Sequence, residues 1–394
     1  MISKASPHVV FIQYGDYREA VERFAGGGPE TYAAQRYSVD FVGKLAQAQR
    51  VTVIALPPAH YDLMLPNGVR AIGLGWAERR DVLGLLKTLE QLRPTHLIVN
   101  TPLISALLWG LLRAKRVLPN FADSFSSTSL RGRLTEKLLG RVLNLPKIEV
   151  VTNHNFPAAR NLLRIGVAPG KVLAWDWPSH ASPAANSPKE APDPARGISL
   201  FYVGTILESK GVGDLIDAVA LLRARGLPVR VSLAGSGAVE AMQQRAQALG
   251  IAEYVAFLGR VANDDVQRLM RAHDAVVVPS RASYPEGLPM AIYEGLCSRS
   301  PLIVSSHPMF VPALGQQDGV LMFDEGKPAS LAQAIASLQD PAVYRRVSQR
   351  SAAAWESIQV PLKSGELLTR WLAGSDADIA ALKAYSLQQL GRVS

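Results

Sequence analysis

Length, composition and charge exclude several classes of protein. The 394 residues are 48% hydrophobic and 19% charged, a composition typical of a globular protein and not of a disordered or fibrous one. Since Cys297 is the single cysteine, an internal disulfide is excluded and a reducing compartment is favoured. Residues 1–178 hold 22 Lys and Arg against 13 Asp and Glu and so carry the whole net charge of +9, which makes this half the one expected to meet an acidic partner.

Residues 1–178 alternate short apolar runs with amphipathic helical patterns. The apolar runs predict strands at 8–14, 51–56, 95–100 and 148–153. The helical patterns lie at 31–48, 81–92 and 103–116. Continuous apolar strands separated by helices indicate a parallel sheet covered on both faces.

A proline-, alanine- and serine-rich stretch without apolar period occupies residues 179–197, which we interpret as a linker. Beyond it, predicted strands lie at 198–204, 229–235, 254–259, 275–280 and 301–306, and predicted helices at 211–225, 238–249, 263–272 and 288–298. We therefore predict an α/β fold with two doubly wound Rossmann-like domains, residues 1–178 and 198–355, facing each other across a cleft. In such sheets ligands bind outside the carboxyl ends of the strands.

The first half contains two candidate contact segments. The segment GGGPETY (26–32) is expected to join the turn after the first strand to a helix, where Gly27 and Gly28 let backbone N–H groups approach phosphate or sugar. A flexible loop explains these glycines equally well. Residues 130–147 place leucines at helical spacing among five basic residues and one acid, so this helix can lie on anionic lipid headgroups. Packing of its leucines on the sheet is the simpler interpretation.

Three loops of the second half follow predicted strands. Lys210 lies between Gly204, which ends a strand, and a helix, where a lysine can reach a diphosphate, although a lone lysine is more often a solvated surface residue. The AGSG sequence (234–237) is not followed by the small and acidic residues of a nicotinamide site, so it predicts a tight turn. The FLGRV sequence (257–261) offers an aromatic ring, exposed backbone and an arginine, which suit a nucleotide base, although Phe257 alone is more often a core residue.

The stretch YPEGLPMAIYEG (284–295) places Glu286 and Glu294 eight positions apart. A Pro-Glu-Gly turn precedes a helix predicted to begin near Leu288, with Pro289 in its first turn. Glu294 would then lie about 9 Å along the helix, so one ligand can contact both carboxylates while the first-turn N–H groups hold phosphate. Taken alone, a dipole-complementing Glu286 and a solvated Glu294 explain the pattern equally well.

Taken together, these loops resemble the retaining glycosyltransferases of family four, which have the two-domain GT-B architecture. The most specific element is PEGLPMAIYEG, which looks like that family's E-x7-E motif and is preceded by VVVPS. YVGTILESKG, VSLAGSG, FLGRV, GGPETY and AAWES support it. The resemblance runs from about residue 9 to about residue 373, is strongest over 200–306, and implies that residues 356–394 return to the first domain.

The resemblance implies a role for each matched residue. Glu286 would face the transferred sugar, Glu294 would bind the ribose hydroxyls, and Lys210 would neutralise the diphosphate as the sugar leaves. Backbone amides around Gly287, Leu288 and Pro289 would hold sugar or phosphate oxygens, although Pro289 itself has no N–H. The further positions that it implies around the donor are Gly204, Thr205, Phe257, Leu258, Gly259 and Arg260, with Gly27 and Gly28 closing the cleft from the other side.

The sequence departs from the family pattern at two positions. Thr205 stands where the family usually has an arginine that pairs with the lysine, so the diphosphate is short of one cation unless Arg260 or Arg281 replaces it. In the first half, Asp123 stands in a loop where the family often has a histidine that contacts the sugar, and we take Asp123 as its substitute.

These observations predict an enzyme that moves a sugar from a UDP- or GDP-sugar to a glycan or lipid-linked glycan with retention of anomeric configuration, in bacterial cell-surface polysaccharide synthesis. The alternatives are a nucleotide-sugar epimerase of the same fold and a non-catalytic nucleotide-sugar-binding subunit. We expect no metal or other cofactor, and no nucleic-acid partner because the basic residues are not interleaved with aromatic residues. Because no signal-peptide pattern occurs, we expect a cytoplasmic protein, with residues 130–147 contacting the inner face of the membrane.

Overall fold

The computed structural model describes residues 7–31, 34–77, 80–125, 127, 129–179, 181–193 and 195–393, so Tyr32 of the glycine segment lies outside the described residues. The chain forms two compact units. The first runs to Pro178 and resumes at Val360, and the second is Ser179–Gln359.

The first unit is built on a largely parallel sheet. Its strands are β1 (His8–Gln13), β2 (Arg50–Ala55), β3 (Tyr61–Met64), β4 (Arg70–Gly73), β5 (His96–Val99), β6 (Arg116–Phe121), β7 (Val151–His154) and β8 (Val172–Trp175). Its helices before the second unit are α1 (Tyr17–Ala25), α2 (Gln35–Ala48), α3 (Val82–Leu92), α4 (Ile104–Arg113), α5 (Leu130–Leu143) and α6 (Phe156–Arg164). The strand order is β3-β4-β2-β1-β5-β6-β7-β8, with β3 antiparallel to β4 and the other pairs parallel.

The second unit has an all-parallel sheet of order β11-β10-β9-β12-β13-β14. Its strands are β9 (Ile198–Val203), β10 (Val229–Ala234), β11 (Val255–Gly259), β12 (Ala275–Val278), β13 (Leu302–Ser305) and β14 (Val320–Phe323). Its helices are α7 (Val212–Ala224), α8 (Val239–Ala248), α9 (Asn263–Ala272), α10 (Met290–Ser298), α11 (Val311–Leu314), α12 (Pro328–Ser337) and α13 (Pro341–Ser357). Numbered within the unit, this is the 3-2-1-4-5-6 order of dinucleotide-binding folds, so the predicted doubly wound α/β architecture is confirmed.

The last residues of the chain pack in the first unit. They form α14 (Ser364–Ala373) and α15 (Asp376–Lys383), and Trp371 and Leu382 are fully buried in the core cluster that also contains Val9 of β1. The backbone N–H of Leu387 donates to the carbonyl of Val172 in β8 over 2.8 Å. The core of the first unit is therefore completed by residues that follow the whole second unit.

The described residues of the proline-rich stretch, 179, 181–193 and 195–197, belong to the second unit. They include a short 3₁₀ helix at Pro183–Ala185. Lys189 Nζ donates to the carbonyl oxygens of Arg271 at 2.9 Å and His273 at 2.6 Å, and burial lowers the pKa of Lys189 to about 8. This lysine therefore fixes the stretch against the end of α9.

Several helix boundaries differ from the prediction, and the end of α4 has an identifiable physical cause. The helix expected over 103–116 ends at Arg113, because the N–H groups of Lys115 and Arg116 donate to the carbonyl of Thr95 and start β6. Pro119 makes β6 hard to recognise in the sequence, since proline is unusual inside a sheet. The strand accommodates Pro119 where its pairing changes, from β5 up to Pro119 to β7 from Asn120 onward.

Candidate functional site

The second unit brings two loops together at the point where its strand order reverses. Strands β9 and β12 are neighbours, but the chain leaves them toward opposite sides of the sheet. A crevice at the carboxyl ends of such strands is where open α/β sheets bind ligands. The loop after β9 contains Lys210, and the loop after β12 contains Glu286.

Lys210 reaches this crevice because its loop lies tightly on the end of β12. The residue ends a 3₁₀ turn, Glu208–Lys210, and is followed by Gly211 with φ +72°. A Cβ at Gly211 would lie 2.0 Å from the carbonyl oxygen of Pro279, the residue directly after β12. Only glycine fits this conformation and this approach, so Gly211 sets the position of Lys210.

Lys210 and Glu286 form a largely buried ion pair. The distance from Lys210 Nζ to Glu286 Oε2 is 2.5 Å, and the side chains are 14% and 7% exposed. Ser280 Oγ donates to the same carboxylate oxygen over 3.1 Å, and the ring of Tyr284 lies under Lys210 Nζ with its centroid 4.1 Å away. The pair thus places one positive and one negative group side by side in the crevice, where they interact strongly because water is excluded.

The helix that follows Glu286 points its N-terminus toward the same loop. Helix α10 begins at Met290, and Pro289 is its N-cap, one position before the predicted first turn. At this N-cap position Pro289 makes no side-chain capping hydrogen bond. Leu288 is buried, Gly287 is half-buried, and Glu294 lies half-buried in the second turn. The N–H groups of the first turn that have no partner within the helix can therefore donate hydrogen bonds to an anionic ligand beside Glu286.

Backbone pairing joins the loops after β9 and β10. Ile206 forms a parallel bridge with Gly237, and the N–H of Ile206 donates to Ser236 O over 2.9 Å. Gly235 has φ +146°, and a Cβ there would meet the carbonyl oxygen of Gly204 at 1.8 Å. The AGSG segment is thus an extended close contact between two loops and not an isolated turn.

The segment expected to border a base follows the same edge. Gly259 ends β11, and its carbonyl accepts the N–H of Gly235 over 2.7 Å. Leu258 is 41% exposed and Phe257 is half-buried. Arg260 is exposed, and its Nε donates to Ser236 Oγ over 3.1 Å. An exposed backbone edge with an adjacent guanidinium is therefore available beside the β9 and β10 loops.

Sequence comparison identifies what the second unit resembles. Residues 197–340, which include Lys210, Glu286 and Glu294, match the family model described as glycosyl transferases group 1. The chain is 28% identical over 152 residues to the putative glycosyltransferase EpsD of Bacillus subtilis, a match covering 38% of this chain and 39% of EpsD. The chain spans less than half the length of the curated relatives that it matches.

Structural comparison covers nearly the whole chain. Anabaena HepE in complex with UDP-glucose matches with a TM-score of 0.60 at 14% identity, covering 98% of this chain and 99% of HepE. Sucrose-phosphate synthase of Thermosynechococcus elongatus matches with a TM-score of 0.65 at 15% identity, covering 94% and 100%. The fold is GT-B. At these identities the likeness is one of fold, so any chemistry must be argued from the site itself.

Arg260 and Arg281, the two candidate cations of the second unit, differ in what they contact. Arg281 donates to Asp214 Oδ1 at 2.6 Å and to Glu208 Oε1 at 2.7 Å, and these contacts, the hydrogen bond to Asp214 above all, raise the pKa of Arg281. Arg260 forms no ion pair within the described residues, and its contact with Ser236, which pairs with Ile206, places it beside the loop that contains Thr205. Thr205 is exposed, and its carbonyl accepts the hydroxyl of Tyr202 over 2.6 Å. Arg260 is therefore the cation better available to a ligand at Thr205.

Sequence reasoning missed the residues that hold the Glu286 loop. His307 follows β13 and is 4% exposed; its Nδ1 accepts the N–H of Met309, so its Nε2 carries the hydrogen and donates to Tyr284 O over 3.2 Å. Burial lowers the pKa of His307. Ser305 Oγ donates to Ser280 O over 2.6 Å. No motif marks these residues, and only their places at strand ends could have suggested them.

The glycine segment of the first GT-B unit differs from the expectation. Helix α1 follows the turn after β1, and Gly26 is its C-cap, so Gly27 and Gly28 lie after a helix and not between the first strand and a helix. The next helix, α2, begins only at Gln35. The glycines therefore do not offer the N–H groups of a helix N-terminus.

Asp123 lies in the loop after β6, at the carboxyl edge of the first unit's sheet. The side chain is half-buried, and burial raises its pKa to about 6. Asn153 Nδ2 donates to the Asp123 backbone carbonyl over 2.9 Å and fixes the loop. A carboxyl group held this way can act as hydrogen-bond donor or acceptor near neutral pH.

A cavity of about 50 Å³ lies in the first unit near the same sheet edge. The strand order of this unit reverses between β1 and β5, and Gln13, Asn100 and Asn120 line the cavity from the ends of β1, β5 and β6. Aromatic rings complete the lining, with Trp175 and Trp177 in edge-to-face contact at 4.9 Å. No charged side chain of the described residues lines this cavity, so it suits a neutral polar group.

Metal centres and membrane-spanning helices are two further features on which the described residues bear. There, no group of three His, Cys, Asp or Glu side chains is arranged to hold a metal ion. None of the helices in those residues combines the length and apolar character that crossing a bilayer requires.

Proposed function

We propose that this protein is a glycosyltransferase that moves a sugar from a nucleotide-sugar donor to a glycan or lipid-linked glycan with retention of anomeric configuration. The observation that carries the proposal is the Lys210–Glu286 pair at the reversal point of a 3-2-1-4-5-6 sheet. A diphosphate needs positive charge and N–H donors, and a sugar needs a hydrogen-bond acceptor beside it. The match of residues 197–340 to group 1 glycosyltransferases supports this reading.

In this proposal the donor lies along the carboxyl edge of the second unit. Its diphosphate contacts Lys210 and the first-turn N–H groups of α10, and its ribose hydroxyls donate to Glu294. The base borders residues 257–260. Because HepE was solved with UDP-glucose, a UDP-sugar is the first donor to test, before a GDP-sugar.

The proposed reaction breaks the bond between the anomeric carbon and the diphosphate oxygen and forms a bond from the same face to an acceptor hydroxyl. Lys210 favours the negative charge that grows on the leaving diphosphate, and Glu286 favours the positive charge that grows on the sugar. The departing phosphate takes the acceptor proton. Neither a metal ion nor another cofactor has a part in this proposal.

The acceptor is assigned to the carboxyl edge of the first unit's sheet, where Asp123 offers a hydrogen bond and the small cavity of aromatic and amide side chains has room for one neutral polar group of a sugar. The proposed setting is cell-surface polysaccharide synthesis in the cytoplasm. We infer this acceptor class from the chemistry of the cavity lining, and analysis of the reaction product tests it.

The test begins with thermal stabilisation of the full chain by UDP, GDP, ADP and CMP and their common sugar conjugates. Stabilisation by one nucleotide family that Glu294→Ala loses supports the donor site. Incubation with that donor and candidate glycan acceptors, followed by NMR of the product, then reports transfer and anomeric configuration. An inverted product, or an epimerised nucleotide sugar formed without acceptor, would refute the proposed reaction.

A further inference from the structure

Helix α5 presents leucines to solvent. Leu130 is 79% exposed, Leu134 is 68% exposed and Leu138 is 49% exposed. The helix packs on its sheet through other residues, Leu139, Gly140, Val142 and Leu143, which are buried. The simpler interpretation of the sequence, in which the spaced leucines form the packing face, is therefore wrong for these three.

The exposed leucines of α5 form a narrow stripe flanked by positive charge. At 100° per residue, Leu130, Leu134 and Leu138 lie within about 80° of each other, opposite the buried face. The basic side chains of the helix are all exposed, namely Arg131, Arg133, Lys137 and Arg141. Its one acid, Glu136, is half-buried and accepts the N–H of Ser127 over 2.9 Å. The outward surface of α5 is thus apolar along its middle and basic at its edges.

Helix α4 extends the same surface. Leu112 is 82% exposed and Leu108 is 42% exposed. Lys147 Nζ donates to the carbonyls of Leu111 at 2.8 Å and Ala114 at 2.6 Å, which holds the segment after α5 against the end of α4. That segment adds Leu145, 41% exposed. We call these six exposed leucines and the basic residues among them the α4–α5 face.

A soluble surface rarely exposes so many large apolar side chains on adjacent elements unless something binds there. Of the eight Lys and Arg in residues 108–147, Arg113 and Arg116 form ion pairs with Glu90 and Glu149. The described residues show no ion pair for the four exposed basic side chains of α5, so the partner of this surface is anionic. A second copy of the chain in a symmetric contact would oppose this charge with the same positive charge. A bilayer with anionic headgroups supplies both negative charge and an apolar layer directly beneath it.

We propose that the α4–α5 face binds the surface of an anionic membrane, with its leucines in the interfacial layer and its basic residues among the lipid headgroups. The proposal goes beyond glycosyl transfer and does not depend on it. It states where the protein works, and it favours an acceptor that is anchored in that membrane over a soluble one. Binding of this kind is electrostatic in part and therefore weakens as salt is raised.

The test is flotation of the full chain with phosphatidylcholine vesicles, with and without phosphatidylglycerol. The wild type is expected to float with the anionic vesicles and to be released by salt. Two double variants test the face, one with Leu134→Ser and Leu138→Ser and the other with Arg133→Glu and Lys137→Glu. Each is expected to lower binding at least about tenfold, because the first loses apolar contact with the interfacial layer and the second loses attraction to the headgroups. These side chains are exposed, so thermal melting should be unchanged.

Matched control variants lie in the second unit. Leu221→Ser with Leu249→Ser removes two exposed leucines, and Arg346→Glu with Arg350→Glu reverses two exposed arginines four residues apart, like Arg133 and Lys137. Both controls are expected to float like the wild type. The proposal is overturned if the wild type does not float with anionic vesicles, or if the face variants float as well as the wild type does. It is also overturned if the face variants change the oligomeric state, measured by light scattering, and do not change lipid binding. Donor-induced stabilisation, measured on the same variants, separates a failed membrane proposal from a failed donor site.

Discussion

Lys210 Nζ lies 2.5 Å from Glu286 Oε2, so the cation expected to bind a diphosphate and the carboxylate expected to face a sugar are one ion pair. Both side chains are largely buried, and each offsets part of the cost of burying the other's charge. The pair thus has a role in stability that must be separated from its role in the reaction.

A double-mutant cycle separates these roles. Lys210→Met is expected to lower the free energy of unfolding by about 3–5 kcal/mol, because it leaves a buried carboxylate without its cation. In Lys210→Met with Glu286→Gln, the loss should be smaller than the sum of the two single losses by about 1–3 kcal/mol. Urea unfolding of the four proteins measures this coupling, and additive losses would show that the pair does not interact.

Glu286 of the loop and Glu294 of helix α10 are expected to affect different kinetic parameters. Glu294→Ala should weaken nucleotide binding by about tenfold or more with a small change in kcat, because it removes hydrogen bonds made in both ground and transition states. Glu286→Ala should lower kcat by about 100-fold with a smaller change in KM. Steady-state kinetics with the identified donor tests both, and equal small effects would contradict the assigned roles.

Substitution of Arg260 is expected to affect donor binding, and substitution of Arg281 is expected to affect stability. Arg260→Ala should weaken donor binding by about tenfold and leave the melting temperature unchanged, because the side chain is exposed. Arg281→Met should lower stability by about 3 kcal/mol, because Asp214, whose side chain is 2% exposed, loses its partner. Calorimetric titration with the donor and thermal melting measure the two effects, and an exchange of the two outcomes would make Arg281 the donor's cation.

Asp123 is expected to make stability depend on pH. Its folded-state pKa of about 6 lies above the ordinary value of 3.8, so folding favours the protonated form and ionised Asp123 costs stability. Asp123→Asn, which resembles the protonated form, should therefore be more stable than the wild type above pH 6 by about 1–3 kcal/mol. The gain should vanish below about pH 4, where the wild type is protonated in both states. Melting of both proteins between pH 4 and pH 8 tests this, and a gain independent of pH would assign the effect to packing.

The fold was predictable where strands are buried on both faces. Runs such as Ala275–Val278 are continuously apolar because helices cover both sides of a parallel sheet, and they leave little doubt about the strand. Strand β6 was missed because Pro119 masks it. Helix α5 was located correctly, but its spaced leucines turned out to lie on the solvent side, since apolar spacing alone does not say which of two apolar stripes packs.

The candidate site was predictable only in part. Lys210 and Glu286 could be named because each follows a strand with a recognisable turn. Their direct contact, 76 positions apart in sequence, could not be derived from the sequence, because it depends on the close approach of Gly211 to Pro279. The contacts of His307 with Tyr284 and of Ser305 with Ser280, which hold the same loop, also join residues far apart in the sequence. Neither type of residue is distinctive enough to be singled out without the fold.

The return of the chain to the first unit after Gln359 has a consequence for synthesis on the ribosome. The second unit is one continuous segment, Ser179–Gln359, and can fold as soon as that segment has emerged. The first unit is translated first, but its core is complete only after Trp371 and Leu382 have been synthesised. We therefore expect the nascent first unit to expose apolar surface while the second unit is being translated.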